Sequence, residues 1–69
     1  MLTKDEIQKS VAVLQVCMED AIEQSDTVTE DNWLPSPSDQ ERVERILQRT
    51  LSEDEWTEAI VAFAFTGRD

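Results

Sequence analysis

Nucleophilic catalysis needs a serine or cysteine beside a general base, and this chain offers one cysteine, Cys17, and no histidine at all. Cys17 falls in the run Val11 to Met18, where only Gln15 is polar, so it reads as a core thiol of low reactivity. The same shortage of His and Cys removes the usual ligands of zinc, and no acidic run has the spacing and central glycine of a calcium loop. The single glycine, Gly67, rules out a phosphate-cradling loop. Carboxylates are so abundant that any pair of them has no specificity as an acid/base signal. These residues point away from an enzyme, and no metal or other cofactor is expected.

The chemistry left is recognition. Sixteen acids against six bases give a formal charge of −10 and a pI near 4.1. No Lys or Arg lies between Lys9 and Arg42, while Glu19, Asp20, Glu23, Asp26, Glu30 and Asp31 all fall in that gap. A second group, Glu53, Asp54, Glu55 and Glu58, opens the last predicted helix. Such a field repels nucleic acid and anionic lipid, so neither direct nucleic-acid binding nor a membrane is expected, and the favoured partner is a protein with a basic surface. The plainer reading is solvation, with acids at helix starts favoured by the macrodipole. Arg42, Arg45 and Arg49 carry half of the positive charge and are predicted to share one flank of the second helix. They either pair with neighbouring acids, Glu41 with Arg45 for example, or grip an anionic group on a partner. Trp33, Leu34, Trp56, Val61 and Phe65 are the apolar anchors that could hold a partner once it has been attracted.

Three helices would position these residues. Thr3-Lys4-Asp5-Glu6 is a capping box with Leu2 placed to staple onto Ile7, and Ile7, Val11, Leu14, Met18, Ala21 and Ile22 form one stripe running to about Gln24. Val13, Val16 and Cys17 widen that stripe beyond what one neighbouring helix covers, which makes the first helix central or part of a subunit interface. Residues 25–37, with Asn32 and two prolines, read as an internal loop, pinned to the core by Trp33 and Leu34 or leaving them as an exposed hot spot. A second helix is expected from Ser36-Pro37 or Ser38, with Glu41 answering the cap at Ser38 and Val43, Ile46, Leu47 and Leu51 as its apolar face. Ser52 and Glu55 form a further capping box, Leu51 staples onto Trp56, and Trp56, Ala59, Ile60 and Phe63 make the core stripe of a third helix stopped at Gly67. Val61 and Phe65 point the other way, into a buried sandwich or onto an association surface.

The expected fold is all-α: a single domain over residues 1–69, with the long first helix packed against a hairpin of the second and third. A chain of 69 residues has a thin core and no disulfide or metal to support it, so oligomerisation or partner binding would add burial. The N-terminus lacks the basic and apolar regions of a signal peptide, and no apolar run spans a bilayer, which predicts a cytoplasmic protein. The short join before the third helix resembles that of a helix-turn-helix, yet Glu53, Asp54 and Glu55 would present carboxylates to phosphate. Three binding roles fit this pattern. The leading one is a regulator or adaptor docking onto a partner protein through apolar helix faces, with acidic steering. The others are an inhibitor whose acids imitate nucleic-acid phosphates and a structural homodimer built on the first helix.

Overall fold

The computed structural model describes residues 1–66 and contains three helices, α1 (Lys4–Gln24), α2 (Pro37–Leu47) and α3 (Glu53–Thr66). No strand occurs among the described residues, and the expected stop at Gly67 lies outside them. Two of the helices start where the capping boxes place them. The Glu6 amide donates to the Thr3 hydroxyl at 3.2 Å while the Thr3 amide donates to the Glu6 carboxylate at 3.0 Å. Ser52 and Glu55 repeat the exchange at the head of α3, at 3.1 and 3.2 Å. The stapling residues Leu2 and Leu51 are both buried in the core, so the two caps are anchored as well as hydrogen-bonded.

The second helix starts at the first of its two expected points, Ser36-Pro37, and ends earlier than expected. Its cap is Ser36 rather than Ser38, and Asp39 rather than Glu41 answers it, accepting from the Ser36 amide at 2.8 Å and hydroxyl at 3.0 Å. Pro37 occupies the first helical position, where no amide hydrogen is needed. The helix ends at Leu47 because Gln48 takes a left-handed conformation with φ of 61°. Leu51 and Arg49 therefore lie beyond α2 and not on its faces. The Leu51 amide donates to Glu44 at 2.7 Å, which holds the short turn into α3.

Helix α1 is the centre, and α2 and α3 pack on it far more than on each other. Arg42 at the middle of α2 reaches Asp20 late in α1, while Arg49 just past its end reaches Glu6, so the two helices are antiparallel. Helix α3 runs parallel to α1: its early residue Glu58 accepts from the Leu2 amide at 3.3 Å, and its later residues Ile60 and Phe63 stand beside Gln15 and Met18. Leu14 and Val43 are fully enclosed, joined by Val11, Ala59 and Phe63. Burying such side chains stabilises the fold by roughly 1.5–3 kcal/mol apiece, less for alanine. Ser10 is the buried residue that periodicity did not predict; its hydroxyl donates to the Glu6 carbonyl one turn back, at 2.8 Å, so it enters the core with its polar atom satisfied.

Candidate functional site

The residues singled out for binding separate into four places. The first is a clasp at the heads of α1 and α3. Arg49 donates to Glu6 through Nε at 2.7 Å and through one terminal nitrogen at 3.2 Å, and to Glu55 at 2.8 and 3.2 Å, with a further bond to the Thr50 carbonyl. All five donors of the guanidinium are occupied, and both carboxylates are those already serving the capping boxes. Arg49 holds the carboxyls of Glu6 and Glu55 down to about 2, with the Thr3 and Ser52 amides adding to the effect, and its own ionisation is pushed further up. Arg49 and Glu55 are thus structural, and the expectation that Arg49 shares a flank with Arg42 and Arg45 fails because the helix has already ended.

The second place is a groove of about 420 Å³ between α1, the Trp33 loop and α3. Its apolar floor includes Met18, Trp33, Ile60 and Phe63, and Glu19, Glu30 and Asp31 stand at its edge. Trp33 packs edge-on against Phe63 with ring centroids 5.6 Å apart. The loop is set locally by a single helical turn: the Trp33 amide donates to the Thr29 carbonyl at 3.1 Å, and the Asn32 side chain closes the turn by accepting from the Thr29 amide and donating to the Thr27 carbonyl. Trp33 pins this loop, as one of the two expectations had it. Leu34 does not: it is 78% exposed, at the rim of the same groove.

One acid beside this groove, Glu19, belongs to a group at the end of α1 that the helix dipole disfavours. Glu23 lies in the last turn of α1, Glu19 and Asp20 lie just before it, and no basic residue occupies that turn. The negative end of the helix dipole meets negative side chains there, and Glu19 with Glu23 is a like-charge pair one turn apart. The macrodipole accounts for Asp5, Glu6, Asp39, Glu53 and Asp54 at helix starts, but not for these three. Asp20 has a cation within reach, Arg42 at 3.8 Å. Glu19, Glu23, Asp26, Glu30 and Asp31 are exposed and make no ion pair among the described residues.

The third place is an apolar groove of about 440 Å³ between α1 and α2, lined by Ala12, Val13, Val16, Cys17 and Ile46 and flanked by Arg42 and Arg45. Val16 and Ile46 are 55% and 53% exposed, so Ile46 is not part of the core face expected of α2. The Cys17 thiol is buried, and burial pushes its ionisation up despite an Arg42 donor 3.6 Å from the sulfur. Arg45 forms no ion pair with Glu41 or with any other described acid.

The fourth place is the outer face of α3. Val61 is exposed and Phe65 is 74% exposed, which overturns the buried sandwich. Trp56 faces the other way and packs partly buried against the core. Glu58 is half-buried and bonded to the Leu2 amide, so with Glu55 in the clasp the row Glu53 to Glu58 is not a free acidic row. No helix of the described residues is long and apolar enough to cross a membrane. No family model, curated protein or solved structure matches the chain, so its own surface carries the functional reading.

Proposed function

We propose that this chain is a non-enzymatic binding module, a regulator or adaptor, that docks onto a basic partner protein through the groove between α1, the Trp33 loop and α3. One observation carries the reading. An apolar floor stands beside three exposed carboxylates, Glu19, Glu30 and Asp31, that make no ion pair among the described residues, and Glu19 also lies near the negative end of the α1 dipole. In this reading the exposed carboxylates raise the encounter rate with a cationic surface, and Trp33, Leu34 and Ile60 supply the contact that slows departure. Imitation of nucleic acid has less support, because Glu55 and Glu58, two of the four acids in its second row, are engaged within the fold.

The test titrates the chain into a fluorescent amphipathic peptide of Leu and Lys at helical spacing, followed by anisotropy at physiological ionic strength. Binding should weaken when Trp33→Ala or Leu34→Ser removes the floor and when Glu19, Glu30 and Asp31 become amides. Neutralising the remote Glu53 and Asp54 should change little. Affinity that tracks total charge alone, indifferent to Trp33→Ala and equally sensitive to both acidic groups, would refute docking at this groove.

A further inference from the structure

We propose that the chain pairs with a second copy of itself by seating Asp54, Val61 and Phe65 of α3 against Arg45, Val16 and Ile46 of the α1/α2 groove. Positive charge is scarce on this surface, yet two of the six bases flank the same apolar strip, and Arg45 is without an ion pair among the described residues. A visitor to that strip should therefore be apolar with acids beside it, and a strip between two antiparallel helices has the shape that takes a third. The chain carries such a visitor. Residues 54, 58, 61 and 65 fall within an arc of about 60° on a helix of 100° per residue, opposite the buried Ala59 and Phe63. The stripe begins with the exposed carboxylate of Asp54 and ends with the exposed apolar side chains of Val61 and Phe65, so its charge and apolar character both complement the groove. Glu58 is held by the Leu2 amide and Arg42 by Asp20, but Asp54 and Arg45 make no ion pair among the described residues, and Val61, Phe65, Val16 and Ile46 are exposed. A pair formed in this way would add the apolar burial that so small a core lacks.

This inference is independent of docking at the Trp33 groove, and of the residues its test alters only Asp54 is also altered in that one, as a control. Sedimentation equilibrium over a wide concentration range at physiological ionic strength should show mass rising above the monomer value. Ile46→Ser or Phe65→Ser should hold the chain monomeric while circular dichroism stays unchanged, since both side chains lie largely outside the core. Arg45→Glu alone and Asp54→Lys alone should each weaken association, and mixing the two variants should restore it, since a mixed pair has one contact with the native charges and one with them exchanged. A monomer at every concentration would overturn the proposal. So would association insensitive to Ile46→Ser and Phe65→Ser, which would place the contact on another face, or failure of the mixed variants to recover.

Discussion

Leu14 and Val16 stand two residues apart on α1, and substituting each by alanine should give opposite results. Leu14 is completely enclosed, so Leu14→Ala loses the transfer free energy of three carbons and leaves a cavity among Val11, Val43 and Phe63. Together these terms amount to about 3 kcal/mol or somewhat more. A domain of this length has a total stability of roughly 3–10 kcal/mol, so the variant should lose a third or more of it. At about 4–8 °C per kcal/mol, the melting midpoint should drop by some 12 °C or more. Val16 is already half in water, so its truncation forfeits less than about 0.8 kcal/mol of burial. Alanine returns most of that, because a β-branched residue costs about 0.6 kcal/mol in a helix interior. The net change for Val16→Ala should lie within about 0.5 kcal/mol of zero. Urea unfolding followed by circular dichroism, at low protein concentration and with the slope checked for constancy, measures both. A loss above about 1.5 kcal/mol for Val16→Ala, or below about 1 kcal/mol for Leu14→Ala, would show that the core does not lie on the stripe assigned to it. Repeating the measurement at high concentration adds a second reading, since a self-paired chain should make Val16→Ala more costly as concentration rises.

Other outcomes follow from the clasp, the turn and the thiol. Glu6 and Glu55 are held at about 2 when folded against an ordinary value of 4.5, so their contribution is complete above pH 4.5 and disappears as pH falls towards 2. Thermal melts across that window should show an acid-sensitive limb that Arg49→Gln shrinks, and an unchanged limb would show that the pairing does not hold in solution. Gln48→Gly should raise stability by about 0.5–1 kcal/mol, because glycine adopts the left-handed turn residue's φ of 61° without a Cβ clash, whereas Gln48→Val should lower it. Cys17 should react with an aromatic disulfide reagent far more slowly in the folded chain than in denaturant, and rapid labelling of the folded chain would contradict its burial.

Local signals read well and long-range ones did not. The starts of α1 and α3 were legible because a capping box is written within four residues, and the width of the apolar arc on α1 pointed to a central helix or a subunit interface, of which the fold shows the first. The end of α2 was not legible, since nothing about Gln48 marks a left-handed residue, and one early turn moved Arg49 and Leu51 off their expected faces. That shift also explains why Arg42, Arg45 and Arg49 do not form one basic flank. The partnership of Arg49 with Glu6 joins residues far apart in the chain, and no spacing rule reaches that distance. Ser10 was overlooked because polarity was read as exposure, although a hydroxyl that bonds its own helix enters a core at little cost. Whether Trp33, Leu34, Val61 and Phe65 were core or surface depended on the path of the loop and on which sides of α1 were already taken.

The Arg49 clasp also makes one side chain common to three parts of the fold. A single guanidinium ties the head of α1, the head of α3 and the turn that joins α2 to α3. Its removal would therefore untie two helix starts and a connection at once, which makes this surface ion pair more than the sum of two exposed contacts.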